Sequence, residues 1–134
     1  MLDADCAFNT QQTIAAMQRA AADGAQLAVF PELGLTGYTC GDLFFQQPLQ
    51  RAAARGLAAV LEASADLDLV ALVGLPVPVD GKLYNCAAVV CHGKLLGLVP
   101  KTYLPNYGEF YERRQFNPAP AGVRTLHFAG QEVP

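Results

Sequence analysis

Residues 27–38, Leu-Ala-Val-Phe-Pro-Glu-Leu-Gly-Leu-Thr-Gly-Tyr, constrain the fold more than any other stretch of the chain. The short run of Leu, Val and Phe predicts a buried strand over 26–30. Pro31 ends that strand, because proline has no N–H to donate to a sheet ladder. The next residue is an acid, Glu32, and the glycines after it allow a tight loop. An acid at the carboxyl end of a strand occupies the place where open α/β sheets collect functional side chains.

A second charged residue follows a strand in the same way. Pro100 closes the predicted strand 94–99, and Lys101 comes directly after it. Taken one at a time, Glu32 and Lys101 are most simply solvated residues at strand ends. Taken together, the two strand ends predict an acid and an ammonium group on the same rim of a sheet.

Hydrophobic periodicity predicts helices and strands around these two charged residues. Asn9 is predicted to cap a first helix that ends at Gly24. Pro48 suits the first turn of a second helix that runs to about Ala65, and Leu69–Leu75 predicts a strand buried on both faces. A hairpin turn is predicted at Asp80-Gly81, between strands Val77–Val79 and Leu83–Cys91, and a second turn at His92-Gly93. A helical turn is predicted within 109–115. A further strand is predicted over 123–128, followed by a turn at Gly130.

Composition narrows the class of protein and its partners. The 134 residues suit a single domain, and 52% apolar against 16% charged residues exclude disorder. The net charge of −3 argues against nucleic acid as a partner. No stretch reaches the ~18 apolar residues that a membrane span needs, and the first residues lack the features of a signal peptide. We therefore expect a cytoplasmic protein that binds neither nucleic acid nor membrane.

The cysteines and histidines show no metal-binding pattern. No CxxC pair is present, and no histidine lies at a zinc-binding spacing from a cysteine. Reduced thiols are therefore the prediction, rather than disulfides or metal ligands. The residues concerned are Cys6, Cys40, Cys86, Cys91, His92 and His127.

Two long segments resemble the signatures of one enzyme family. Residues 30–38 resemble the first signature of the nitrilase, or carbon–nitrogen hydrolase, superfamily. The extension 38–44, Tyr-Thr-Cys-Gly-Asp-Leu-Phe, is similar to the branch that forms the glutamine-hydrolysing domain of glutamine-dependent NAD synthetases. Residues 100–116, Pro-Lys-Thr-Tyr-Leu-Pro-Asn-Tyr-Gly-Glu-Phe-Tyr-Glu-Arg-Arg-Gln-Phe, resemble the lysine signature of that branch. Two long motifs in the order of the family are a much stronger signal than a match of only four residues from either motif.

The resemblance implies an α/β fold, part of the nitrilase-like α-β-β-α sandwich in which two sheets pack face to face with helices outside. Residues 1–134 would be part of a single carbon–nitrogen hydrolase (glutamine amidotransferase) domain that starts one strand late, with the synthetase domain absent. The implied function is hydrolysis of L-glutamine, which supplies ammonia to the synthetase domain of the same protein to amidate deamido-NAD. The hydrolase domain would need no metal or organic cofactor, whereas ATP and magnesium would serve the synthetase domain. The resemblance also implies a homo-oligomer.

The resemblance assigns roles to individual residues. Glu32 is implied as the general base, and Lys101 as the group that stabilises the oxyanion. Their charged groups should then lie roughly 3–5 Å apart, as an interacting pair requires. Glu112 matches a second, supporting glutamate, and Tyr107 matches a position that lines the glutamine entrance. A solvated surface ion pair explains Glu112 equally well, and packing on the loop explains Tyr107 nearly as well.

No cysteine matches the nucleophile of the family. That cysteine lies at the end of a later strand in a Glu-Ile-Cys-Glu-like context, which this sequence does not contain. Cys40 lies in the first motif, but at a position that is not the nucleophile in the family. Cys86 and Cys91 fall in a predicted strand, where small buried thiols are usual. The chain is therefore expected to end before its nucleophile and to be inactive by itself.

Two alternatives stay open at this point. Another carbon–nitrogen hydrolase, such as an amidase or carbamoylase, would share both motifs, although residues 38–44 argue against it. A non-catalytic fragment that serves as an assembly surface would explain the missing first strand and the missing cysteine. We further expect the chain to self-associate, because strands that would cover its apolar sheet surface are missing.

Overall fold

The computed structural model describes residues 5–37, 44, 46–101, 106–107, 110–111, 116–119, 125–129 and 131–133. Its elements in chain order are α1 (Cys6–Ala22), β1 (Leu27–Val29), α2 (Gln47–Ser64), β2 (Val70–Val79), β3 (Lys82–Cys91), β4 (Lys94–Pro100), β5 (Asn106–Tyr107), β6 (Phe110–Tyr111), β7 (Leu126–Phe128) and β8 (Gln131–Val133). Helices and a mixed sheet together confirm the predicted α/β class.

The centre of the fold is a four-stranded sheet in the order β1-β2-β3-β4. Strand β1 runs parallel to β2, with Leu27 opposite Val70, whereas β2, β3 and β4 form an antiparallel meander. Leu27 and Val29 are more than half exposed, so the predicted burial of this first strand is wrong. Two short ribbons, β5-β6 and β7-β8, make up the rest of the described strands. The parallel step from β1 to β2 is bridged by α2, as a crossover between parallel strands requires.

Strand β2 joins two segments that were predicted separately, Leu69–Leu75 and Val77–Val79, because it continues through Pro76 and Pro78 to the Asp80-Gly81 turn. The backbone explains why two prolines fit within a paired strand. Val70 N donates to Gln26 O on the β1 side, so alternate residues from Val70 onwards point their N–H groups away from β3. Both prolines belong to that set, and β1 has already ended beside them, so neither breaks a ladder hydrogen bond.

The two faces of the sheet differ in burial. On the face that shares a core with the helices, Ala71, Val73 and Leu75 are almost completely buried. On the opposite face, Val70 and Leu72 are only half-buried. Burial on both faces is therefore wrong for the first half of the predicted strand and holds only from residue 73 to residue 77.

Helix α1 begins earlier than predicted, and Asn9 is not its cap. Asp5 is the N-cap, since its carboxylate accepts a hydrogen bond of 3.0 Å from Phe8 N. Asn9 lies inside the helix, 2% exposed, and its side-chain amide donates to Leu35 O at 3.4 Å. The Asn9 side chain, which the local pattern predicted to cap the helix, therefore makes a tertiary hydrogen bond to the loop after β1 instead. The predicted end at Gly24 is confirmed, with a φ of +84° there.

The predicted second helix and both hairpins are confirmed. Helix α2 has Pro48 in its first turn and ends one residue before Ala65. The turns at Asp80-Gly81 and His92-Gly93 have positive φ at both central residues, which the tight two-residue hairpin turn requires.

The helical turn predicted within 109–115 is wrong at Phe110–Tyr111, the described residues of that range. Within 109–115, Phe110–Tyr111 forms strand β6 and pairs with Asn106–Tyr107, so that Tyr107 lies opposite Phe110. Aromatic residues on both sides of Gly108-Glu109 favour a hairpin, and this local preference outweighs the helical one. Residues 112–115 lie outside the described residues.

The last predicted strand is confirmed over 126–128, and β8 folds back on it, with Ala129 at a φ of +50°. Residues 123–124 and Gly130 lie outside the described ranges. Within the part of the chain that the structure describes, neither helix is long and apolar enough to cross a membrane.

Candidate active site

The loop after β1 holds Glu32 on the rim of the sheet. Leu33 and Leu35 are fully buried, so they tie the loop into the core on either side of Gly34. The loop is closed by a hydrogen bond of 3.0 Å from Gly34 N to Pro31 O. Glu32 itself stays partly accessible, with 41% of its side chain exposed.

Gly74 on β2 lets this loop lie against the sheet. Its carbonyl accepts a hydrogen bond of 3.1 Å from Leu35 N. A β-carbon at Gly74 would lie only 2.8 Å from Pro31 O and 3.1 Å from the carbonyl carbon of Glu32. The backbone of the loop therefore approaches β2 more closely than any residue with a side chain would allow.

Lys101 reaches the same place from the end of β4. Its backbone N–H donates to Asn85 O at 2.8 Å, and its carbonyl accepts from Ala119 N at 3.0 Å. Its ammonium Nζ lies 2.8 Å from Glu32 Oε1. The predicted proximity of the two charged groups is confirmed, although their roles stay predictions.

The ends of both sequence motifs also meet in the structure. Phe44 and Phe116, the last residues of the two segments, are buried and pack with their ring centroids 4.9 Å apart. Asn117 then pairs with the start of β3, donating from its backbone N–H to Leu83 O at 2.7 Å. The second motif is therefore attached to the sheet at both of its ends, near Lys101 and near Leu83.

Asn85 is a site residue that the sequence analysis missed. It lies on β3 with only 3% of its surface exposed. Its side-chain Nδ2 donates to Glu32 Oε1 at 2.6 Å, so the same carboxylate oxygen receives hydrogen bonds from Asn85 and from Lys101. The signal was a single carboxamide within the otherwise apolar run Leu83–Cys91, because buried polar side chains need partners.

This arrangement is better suited to chemistry than to stability. Exposures of 30% for Lys101 and 41% for Glu32 leave the ion pair open to solvent, where such a pair contributes about 0–1 kcal/mol. A carboxylate can accept a proton, and a neighbouring ammonium can stabilise developing negative charge. The pair therefore has the chemistry of two of the three groups that amide hydrolysis without a metal requires, the third being a nucleophile.

The other predicted site residues cannot be placed with their side chains. The backbone of Tyr107 lies in β5, but its side chain is outside the described part of the structure, as are Glu112 and Cys40. In the ranges that are described, no three His, Cys, Asp or Glu side chains group closely enough to hold a metal ion.

Three of the four cysteines are described, and these three are thiols that form no disulfide: Cys6, Cys86 and Cys91. Cys86 follows Asn85 directly, so its side chain points to the other face of the sheet, into the helix-side core. Burial raises the pKa of the Cys86 thiol to about 12. Since the thiolate is the reactive form, this burial makes Cys86 a poor nucleophile at neutral pH despite its position beside the site.

Comparison with known proteins gives one consistent result. Residues 3–133 match the family model described as "Carbon-nitrogen hydrolase". A glutamine-dependent NAD(+) synthetase from Mycobacterium tuberculosis is 46% identical over 111 residues, which is 83% of this chain and 16% of that protein. The synthetase from Thermotoga maritima is 39% identical over 110 residues, 82% of this chain and 19% of that protein. The chain thus spans less than a fifth of the length of these relatives.

Solved structures agree with the sequence relatives. A glutamine-dependent NAD(+) synthetase from Cytophaga hutchinsonii superimposes with a TM-score of 0.86 at 29% identity, over 96% of this chain and 22% of that one. An amidase of the nitrilase superfamily from Nesterenkonia gives a TM-score of 0.73 at 26% identity, over 97% of this chain and 49% of that one.

Proposed function

This chain belongs to the carbon–nitrogen hydrolase family, and on that premise we propose that it forms part of the glutaminase domain of a glutamine-dependent NAD synthetase. The expected nitrilase fold is confirmed, and the described residues provide one helical layer and one sheet of the α-β-β-α sandwich. Placement of residues 1–134 within a single hydrolase domain stays a prediction. The whole protein would hydrolyse L-glutamine and pass the ammonia to its synthetase domain, which would use ATP and magnesium to amidate deamido-NAD.

The observation that carries the proposal is the Glu32–Lys101 pair, 2.8 Å apart at the ends of β1 and β4. Glu32 would take the proton from a thiol nucleophile, whose sulfur attacks the amide carbon of glutamine. Lys101 would donate to the oxyanion of the tetrahedral intermediate. Collapse of the intermediate breaks the C–N bond, the nitrogen leaves as ammonia with the proton returned by Glu32, and water then hydrolyses the thioester to glutamate.

Two further roles belong to the same proposal. Glu112 would support the pair as a second carboxylate, and Tyr107 would line the entrance for glutamine. Both roles rest on the match of residues 100–116 to the lysine signature of the synthetase branch. No metal or organic cofactor takes part in these steps.

The nucleophile is not one of the cysteines in this chain. Cys86 is held as a neutral thiol in the core, and no cysteine stands in the sequence context of the family nucleophile. We therefore expect the 134-residue chain to release no ammonia from glutamine, since loss of the nucleophile typically costs several orders of magnitude. Cysteine-dependent release by this chain, abolished by Cys40→Ala, would contradict that expectation and our reading of Cys40.

A chimera tests the roles of the pair. In it, this chain replaces the matching region of the Mycobacterium tuberculosis synthetase, and NAD synthesis is measured with glutamine or with ammonia as the nitrogen source. Glu32→Gln and Lys101→Met should abolish synthesis from glutamine and spare synthesis from ammonia, which bypasses the hydrolase. Glu62→Gln and Lys82→Met alter an exposed acid and an exposed lysine elsewhere and serve as matched controls. Equal rates in all four variants would refute the proposal.

A second candidate is an amidase, which the fit to the Nesterenkonia enzyme favours. Both candidates use the same pair, so the substrate distinguishes them. Hydrolysis of short aliphatic amides in preference to glutamine by the chimera would favour the amidase. The cytoplasmic location and the homo-oligomer stay predictions that accompany the first candidate.

A further inference from the structure

Asn85 contacts both charged residues of the candidate site, one through its side chain and the other through its backbone. Its side-chain Nδ2 donates to Glu32 Oε1 at 2.6 Å. Its backbone carbonyl accepts from Lys101 N at 2.8 Å. One residue of β3 therefore contacts the loop after β1 and the chain after β4, although neither segment is adjacent to the other in sequence.

The contrast in burial shows which of the three residues is the fixed one. Asn85 is 3% exposed and lies inside a ladder that pairs it with Pro76 on β2. The side chains of Glu32 and Lys101 are 41% and 30% exposed, and a solvent-exposed ion pair does not by itself hold two long side chains in one geometry. The buried carboxamide has a defined rotamer and a defined backbone position, so it is the better reference point.

We propose that Asn85 is a positioning residue, whose carboxamide fixes the Glu32 carboxylate while its carbonyl fixes Lys101, so that β3 sets the separation of the two groups. This inference rests on the proposed function for its purpose, but its geometry is independent of any activity. A charge-assisted hydrogen bond from an amide N–H stabilises the ionised carboxylate. Asn85 therefore keeps Glu32 ionised beside the Lys101 ammonium, which is the form that a general base needs.

The test is the titration of the Glu32 side-chain carboxylate in the 134-residue chain, followed by carbon-13 NMR. Asn85→Leu removes the donor at similar side-chain size and should raise the midpoint of the titration by about one pH unit, because the ionised form loses a hydrogen bond. Asn85→Asp keeps the shape but places a second carboxylate beside Glu32, so it should raise the midpoint further.

Ser64→Ala is the matched control. Ser64 is 1% exposed and accepts a hydrogen bond of 2.9 Å from Gly93 N, in the turn beyond the far end of β3. The last residue of β3, Cys91, is about 20 Å from Asn85 at the rise of a strand. Loss of the Ser64 hydroxyl should lower stability and leave the Glu32 midpoint unchanged. A midpoint in Asn85→Leu that stays at the wild-type value, with stability lowered as in the control, would make Asn85 merely structural and overturn the inference.

A measurement on the unmutated protein covers the case in which Asn85→Leu does not fold. The side-chain amide protons of Asn85 should shift in step with the Glu32 titration, and that shift should vanish in Glu32→Gln. An amide signal that is indifferent to the protonation of Glu32 would also overturn the inference. Failure of the chimera to use glutamine would instead refute the proposed function and leave these titrations as they are.

Discussion

The two faces of the central sheet differ in role, although residues that are adjacent in sequence contribute to both. On the helix side, Val73, Leu75 and Cys86 lie in one closed core. On the opposite side, Gly74 and Asn85 carry the candidate site, while Val29 is 68% exposed. Strand alternation alone separates these sets, since neighbours along a strand point to opposite faces. Core residues and candidate-site residues therefore alternate in sequence but lie on opposite faces of the sheet.

The largest difference between the faces should be seen in thiol reactivity. With its pKa raised to about 12 by burial, Cys86 has about a thousandfold less thiolate than an ordinary thiol at pH 8. Alkylation of Cys86 by iodoacetamide should therefore be slow at neutral pH and speed up only in strong alkali. Rates followed by peptide mass spectrometry, against the same cysteine in the urea-unfolded chain, measure the effect. Fast alkylation of folded Cys86 would mean that the helix side is not closed.

A smaller effect is expected at the contact between the loop and the sheet. Gly74→Ala places a methyl group 2.8 Å from Pro31 O, and the forced movement of the loop should cost about 1–3 kcal/mol. Gly97→Ala is the control, since no heavy atom lies within 4 Å of a β-carbon there. Urea unfolding gives both free energies, and the Glu32 titration reports whether the loop has moved. Equal stability of the two variants would show that the loop adapts freely.

The smallest effect concerns the exposed apolar face. Leu27, Val29 and Val99 are each more than half exposed on the side away from the helices, and we expect the chain to self-associate there. Val29→Lys should weaken association about tenfold, as loss of an apolar contact worth about 1.4 kcal/mol would. Phe8→Ser, which alters an exposed apolar residue on α1, should leave association unchanged. Sedimentation at micromolar concentration distinguishes these outcomes, and a monomeric wild-type chain would refute the expectation.

Local rules were sufficient for much of the fold. The Asp80-Gly81 and His92-Gly93 turns, the proline in the first turn of α2 and the glycine after α1 were all predicted, because each depends on the conformation of a few consecutive residues. The proximity of Glu32 and Lys101 was also predicted, from two strands that end in proline and a charged residue.

Local rules failed where a distant contact competed with them. Asn9 has the chemistry of a cap, but the loop after β1 takes its amide. The predicted strand stopped at Leu75, yet β2 continues through Pro76 and Pro78, because they face the side where β1 has already stopped. In both cases the deciding partner lies more than twenty residues away in sequence, beyond the reach of any local pattern.

Sequence by itself determined the family, the α/β class and the two charged residues of the site, because motif order and hydrophobic period are properties of the chain. Only the tertiary structure decided that Asn85 joins them. A carboxamide within an apolar strand is expected to need a hydrogen-bond partner, but the register of the sheet determines which residue that partner is. The pairing of Pro76 with Asn85, and of Lys101 N with Asn85 O, places that carboxamide beneath Glu32.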